Sequence, residues 1–247
     1  MNSATPFLEA RNISFGVDGV PIISDVSLHF DAHHVYTFVG PNGAGKSTLI
    51  RLLCLLQKPS SGSIVVGGEN TTALWPDVLH VRRRLALVTQ APVMFKTSVF
   101  DNVAMGLRFR GFSRREVQRR VEEALSFVSM ASFRRRYAPT LSVGEAQMVA
   151  LARAIAVEPH ILFLDEPAAN LDPRNTRALE EHLERLNRER GTTVIMVTHV
   201  LKQAQRLAHE AIFVHKGMVV ERGEVSSFFF APQKEQTRQF LAGELIT

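Results

Sequence analysis

Five short, β-branched apolar runs punctuate the chain, at Val35–Val39, 64–66, Leu85–Val88, 161–164 and 194–197. Several are apolar throughout instead of alternating, the pattern of strands covered on both faces by helices. Helical stretches separate the later runs, which predicts a mainly parallel sheet. A last pair of runs, 211–215 and 218–221, flanks Lys216-Gly217 and predicts a β-hairpin. Between about 74 and 138 the pattern turns helical. Ser113-Arg114-Arg115-Glu116 has capping-box spacing, and Val117, Val121, Leu125 and Val128 follow as one apolar stripe. The expectation is an α/β domain, 1–73 and 139–247, with a helical subdomain inserted at 74–138.

At 247 residues and 45% hydrophobic, the chain has apolar material for one large α/β domain with a subdomain. Its 29 Lys+Arg exceed its 24 Asp+Glu, a formal net charge of +5. The excess is local: 82–136 holds 13 basic and 4 acidic residues, +9, and the remaining 16 and 20 give −4. The sole cysteine, Cys54, excludes an intrachain disulfide and points to a reducing compartment. Between Leu53 and Leu55 it reads as a small buried hydrophobe. Met1 to Pro6 shows no basic segment leading into an apolar one, so no signal peptide is expected. No apolar run approaches the ~18 residues of a membrane span, so any membrane role falls to a partner.

Three motifs carry chemistry. Gly40-Pro41-Asn42-Gly43-Ala44-Gly45-Lys46-Ser47-Thr48 fits G-x-x-x-x-G-K-[ST], between a predicted strand and an apolar helical stretch. Glycines there let backbone amides curl around phosphate oxygens at a helix N-terminus. Lys46 would reach the β- and γ-phosphates of ATP, and Ser47 would ligate Mg²⁺. The run 161–164 ends in Asp165-Glu166, two carboxylates at a strand tip. Asp165 suits Mg²⁺, and Glu166 suits polarising a water for in-line attack as a general base. Leu141-Ser142-Val143-Gly144-Glu145 opens an amphipathic helix that runs to about Val157. Ser142 and Glu145 have capping-box spacing, and the free amides of that helix start suit an anion. Standing alone, the pentapeptide is an ordinary capped helix, whereas Asp165-Glu166 already favours metal and water over a solvated strand end.

Their order changes those odds. A P-loop, Gln90, Leu-Ser-x-Gly-Glu, a strand ending Asp-Glu-Pro and His199 together resemble the ATP-binding cassette (ABC) family, over nearly the whole chain. The resemblance implies a P-loop NTPase fold: a mainly parallel core sheet, an N-terminal antiparallel β part and the inserted helical subdomain. It implies an ATPase coupled to transmembrane transport, with each ATP sandwiched between one copy's P-loop and the other's Ser142 and Gly144. Phe15 would stack on the adenine, where many relatives use tyrosine. Gln90 would sense Mg²⁺ and the attacking water while touching the membrane partner. Asp172 would organise the dimer seam, and His199 would bond the γ-phosphate and stabilise transition-state charge. Implied partners are a second copy, transmembrane permease subunits and, indirectly, a substrate-binding protein, with no nucleic acid. The implied location is cytoplasmic, peripheral on the inner face of the membrane.

The family's usual signature is Leu-Ser-Gly-Gly-Gln, from which Val143 and Glu145 depart. Val143 would sit at the first helical position, where its amide survives and its side chain can point away. Glu145 suits a helix start as a capping partner, so an active signature is expected. The stretch from Gln90 to Ala104 resembles importer subunits for inorganic oxoanions. Thr237 to Glu244 looks most like the tungstate-uptake branch, with phosphate uptake next; none of these residues contacts cargo. A soluble ABC ATPase serving DNA maintenance or cluster assembly is the rival. It is disfavoured because no long coiled coil splits the nucleotide motifs and the basic segment lacks regular aromatic interleaving.

Overall fold

The computed structural model describes residues 7–244; the stretch Met1 to Pro6, read above for a leader, lies outside the described residues. The first part of the chain forms strands β1 (Leu8–Val17), β2 (Val20–Phe30) and β3 (Val35–Val39), helix α1 (Lys46–Leu53), strands β4 (Ser61–Val66) and β5 (Glu69–Asn70), helix α2 (Leu79–Arg82) and strand β6 (Leu85–Val88). Helices α3 (Val99–Phe109), α4 (Arg114–Phe127) and α5 (Val143–Ile155) follow. The chain then alternates through β7 (Ile161–Asp165), α6 (Pro173–Arg190), β8 (Thr193–Val197) and α7 (Leu201–Leu207) to β9 (Glu210–His215) and β10 (Met218–Glu224). Helices α8 (Val225–Phe230) and α9 (Glu235–Ala242) close it.

The all-apolar runs build the middle of a six-stranded sheet ordered β10-β9-β3-β8-β7-β6, parallel except for the β9–β10 hairpin. A separate antiparallel sheet, β2-β1-β4-β5, supplies the N-terminal β part. Strands β3 and β8 are buried at every residue because both their faces are covered. Tyr36, Phe38, Phe163 and Ile195 pack with α1 and the antiparallel sheet, whereas Leu162, Leu164, Val194 and Met196 pack with α3 to α6. Cys54, 4% exposed, belongs to the first of these cores, and burial pushes its thiol up to about 12.

The stripe Val117, Val121, Leu125 and Val128 is buried as its spacing predicts. The capping box ahead of it forms only by half. Ser113 Oγ accepts from the Glu116 amide at 3.3 Å, but the Glu116 carboxylate turns to Arg119 and Arg120 at 2.6 Å each. With a further bond from Arg119 Nε at 3.1 Å, three charge-assisted bonds outcompete one to a backbone amide. The stretch 74–138 also contains β6, which pairs with β7 at the edge of the core sheet.

Candidate active site

Because β3, β8, β7 and β6 run parallel, the segments following them, Gly40 onward, Thr198-His199, Glu166 and Thr89-Gln90, emerge on one edge of the sheet. The strand order reverses at β3, which has β8 on one side and β9 on the other, and such a reversal opens a crevice at the carboxyl edge. The P-loop leaves β3 there and ends in α1.

Lys46, 5% exposed, donates from Nζ to the Gly40 carbonyl at 2.8 Å and the Pro41 carbonyl at 2.7 Å. Burial pushes its pKa down, and the carboxylates of Glu166 and Asp165 oppose that shift. Ser47 Oγ donates to Asp165 Oδ1 at 2.8 Å, joining the first turn of α1 to the tip of β7. Glu166 then leaves β7 with φ at +48°, a left-handed conformation uncommon in residues other than glycine. Two bonds hold it: its amide donates to the Val197 carbonyl at 3.0 Å, and its carbonyl accepts from the Ala169 amide at 3.2 Å. In that conformation Glu166 Oε2 lies 3.2 Å from His199 Nδ1. Gln90 is exposed, two residues beyond β6 at the same edge.

The hairpin turn braces the P-loop from behind. The Gly217 amide donates to the Ala44 carbonyl at 3.0 Å, and the Gly217 carbonyl accepts from the Ser24 amide at 2.9 Å. Gly217 has φ at +76°, and a Cβ there would fall 2.3 Å from the Ile22 carbonyl oxygen. Only glycine fits both constraints. In the sequence this residue signals a turn and nothing more. Phe15, half-buried on β1, pairs with Ile23 of β2, whose Cδ1 lies against Gly45 at the start of α1.

Ser142, Gly144 and Asp172 form a second group. Ser142 caps α5 in a complete box: its amide donates to Glu145 Oε2 at 2.7 Å and its Oγ accepts from the Glu145 amide at 3.3 Å. Val143 is the first helical residue and is 56% exposed, its side chain directed outward. Gly144 is buried, and a Cβ on it would come within 2.8 Å of Asn175 Nδ2. Asn175 in turn donates to both Asp172 oxygens, at 2.9 Å from its amide and 2.6 Å from Nδ2. Those bonds hold the Asp172 carboxyl below the usual carboxylate range. Asn175, which the sequence does not single out, therefore ties the start of α5 to the cap of α6. A cavity of about 730 Å³, lined by His33, His160 and Thr193, opens at the opposite, amino-terminal ends of the parallel strands and contains none of these residues.

Many folds place a glycine-rich loop near phosphate. One that carries its lysine and serine into a helix, with the serine bonded to the carboxylate closing a parallel strand two places away in the sheet, belongs to a P-loop nucleoside triphosphatase. Residues 23–169 match the family model for "ABC transporter". The chain belongs to the ABC transporter family, as an ATP-binding ATPase. It is 38% identical to a "Probable anion import ATP-binding protein" of Haloferax volcanii, covering 97% of this chain and 88% of that one. It is also 38% identical to a phosphate import ATP-binding protein of Natronomonas pharaonis, covering 97% and 87%. Among solved structures, cbiO1 from Clostridium perfringens superposes with a TM-score of 0.85 at 26% identity, covering 96% of each chain. The dimeric ATP-binding cassette MJ0796 bound to ADP and Pi superposes with a TM-score of 0.81 at 27% identity, covering 88% of this chain and 98% of that one.

Proposed function

We propose that this chain is the ATP-hydrolysing subunit of a membrane importer for an inorganic oxoanion, tungstate being favoured and phosphate or another small solute the alternative. The observation carrying the hydrolytic part is the contact between Ser47 and Asp165 beside the Glu166–His199 pair, all at the P-loop edge. The relatives named for anion and phosphate import support the oxoanion class. The preference for tungstate rests on Thr237 to Glu244 alone. These residues lie in and just after α9, where Phe240 stacks on Phe213. Within the oxoanion-like stretch, Ser98 caps α3, and buried Asn102 bonds the Phe95 amide, the Phe95 carbonyl and the Ser98 carbonyl. Those residues shape the segment after Gln90 and do not read cargo.

The donor set suits Mg²⁺. A hydroxyl and a carboxylate 2.8 Å apart are hard oxygen ligands, and Mg²⁺ ordinarily needs only one or two such side chains besides phosphate and water. Ser47 and Asp165 would hold the ion, which when bound polarises and neutralises the phosphate oxygens. Lys46 would transfer its two donations from the Gly40 and Pro41 carbonyls to phosphate oxygens. Glu166 takes the proton of the attacking water. His199 meets Glu166 through Nδ1, which leaves Nε2 for the γ-phosphate. Phe15 covers the adenine, and Gln90 senses the ion and the water.

Ser142 and Gly144 complete the site on a second copy, a reading supported by the dimeric cassettes among the structural relatives. ATP then contributes contacts available only to the closed pair, and its hydrolysis withdraws them. Val93, Phe95 and Phe109 are exposed just after Gln90 and at the end of α3, an apolar surface suited to permease subunits. Arg84, Arg108, Arg119, Arg120, Arg134 and Arg136 of the basic segment are engaged by acidic partners, and of the rest Arg83, Lys96, Arg114, Arg115 and Arg135 are exposed and free to face an anionic leaflet. Among the described residues no helix is long and apolar enough to cross a membrane, so attachment runs through the permease.

Deleting the chain tests the assignment. Uptake of tungstate should be lost and uptake of phosphate retained, while detergent-solubilised tagged chain recovers a permease. Loss of phosphate uptake alone selects the alternative cargo. Intact uptake of both, with the chain recovered on nucleic acid, rejects the importer.

A further inference from the structure

The segment carrying His199 is anchored by a buried polar relay. Thr198, directly before it, donates from Oγ1 to Gln203 Oε1 at 2.8 Å and accepts from the Val200 amide at 3.0 Å. Gln203 Nε2 donates to Glu180 Oε1 at 3.3 Å, and Arg206 holds the same carboxylate from Nη2 at 2.6 Å and Nε at 2.9 Å. Thr198, Gln203 and Glu180 are 2%, 1% and 6% exposed, so each must find its partners inside the protein. His199 itself is exposed, and among the described residues its one side-chain hydrogen bond is to Glu166. Its position is therefore set by its neighbours. Thr198 and Val200, one on each side, are both bonded at the same hydroxyl, and that hydroxyl is fixed through Gln203 to α6.

If packing alone were needed, apolar side chains would serve as they do throughout β8, without the desolvation cost of a buried carboxylate. What hydrogen bonds add is a single geometry. Glu180 lies on the helix capped by Asp172, about two turns further on, so the dimer-seam loop and the His199 segment are fixed to one rigid element. We infer that Gln203, held by Glu180 and acting through Thr198, is a positioning residue for His199 in ATP hydrolysis. The inference rests on the reading of His199 as the γ-phosphate contact.

The test is hydrolysis of ATP with Mg²⁺ by the full chain, followed in single turnover. Gln203→Met fills the same volume without the bridge. It should lower the rate by about tenfold or more with nucleotide affinity unchanged, the signature of a group displaced from the transition state and not from the bound substrate. Thr198→Val should do the same, and Thr198→Ser, which keeps the hydroxyl, should recover the rate to within about twofold. This pair decides the matter even where Gln203→Met fails to fold. In a His199→Ala background, Gln203→Met should cost no further rate, because it acts only through that imidazole. Wild-type rates for both Gln203→Met and Thr198→Val, or losses that add in full to that of His199→Ala, overturn the inference. A wild-type rate for His199→Ala itself overturns the reading of His199, and the positioning role falls with it.

Discussion

Glu166 Oε2 and His199 Nδ1 lie 3.2 Å apart, on segments that leave two adjacent parallel strands, β7 and β8. A carboxylate placed this way touches the P-loop serine and lysine only through its neighbour Asp165 and through charge, so binding and turnover are separable. Glu166→Gln should bind ATP with near-normal affinity, lower turnover by about 10²–10⁴-fold, and accumulate as an ATP-loaded dimer. Phosphate release and size-exclusion chromatography with ATP read both effects. Near-normal release would falsify the general-base role.

The left-handed backbone of Glu166 adds a stability forecast. A non-glycine residue there stores about 1–3 kcal/mol. Glu166→Gly should therefore abolish turnover yet raise unfolding stability by ~1 kcal/mol, after the entropy of the freer unfolded chain is subtracted. Urea denaturation measures it, and a loss of stability of that size contradicts stored strain.

Ser142 makes its hydrogen bonds within α5, to Glu145. If it serves the nucleotide of a second copy, Ser142→Arg should abolish ATPase activity while a monomer's affinity for ATP stays unchanged. Titration of a fluorescent ATP analogue at protein concentrations too low for dimers tests this. An equal loss of affinity in the monomer contradicts action across the seam.

Gly217→Ala should be costly at a distance from any phosphate. The added Cβ, 2.3 Å from the Ile22 carbonyl, must push the turn away from β2 and so withdraw its bond to Ala44. A stability loss of at least ~1 kcal/mol is expected, together with weaker ATP binding. Calorimetry with and without nucleotide separates the two. Unchanged affinity would show that the turn braces the fold but not the loop.

His182 on α6 is buried beside Phe127, and burial lowers its pKa from the ordinary 6.5, with the Arg185 charge adding to the effect. The unfolded chain therefore takes up a proton near pH 6.5 that the folded chain accepts only at lower pH. Stability from this group is full above pH 6.5 and is lost as the pH falls below it. The melting temperature should drop between pH 7 and about 5.5, and His182→Leu should flatten that part of the curve. An unaltered profile in the variant assigns the acid sensitivity elsewhere.

What the sequence shows and what it hides follow from the period of burial. Strands β3, β6, β7 and β8 are readable to within a residue because covered strands are apolar at nearly every position instead of at alternate ones. Strands β1 and β2 are longer, yet their pairing shifts register at Asn12, between Ile13 and Phe15 and again before Gly16, which breaks any alternation. The P-loop, Asp165, Glu166 and Ser142 are contiguous motifs whose residue types name their chemistry. Asn175, Glu180, Gln203 and Gly217 act through partners distant along the chain, Asn175 through its packing on Gly144, and as isolated letters on helices or in a turn they resemble solvated positions. Glu116 is a local case: its capping spacing is correct, but its carboxylate is drawn off by Arg119 and Arg120 one helical turn further on.

Cys54 has a practical consequence. A thiol enclosed among leucines, with its pKa near 12, contributes almost no thiolate at neutral pH, and the thiolate is the form that reacts. The unmodified chain is thus a silent background for maleimide chemistry. A single cysteine placed at exposed Asn170, two residues before Asp172, would be the one site to take a spin label or fluorophore. A distance between two such labels that shortens with ATP and lengthens after hydrolysis would then test the proposed pairing of two copies directly.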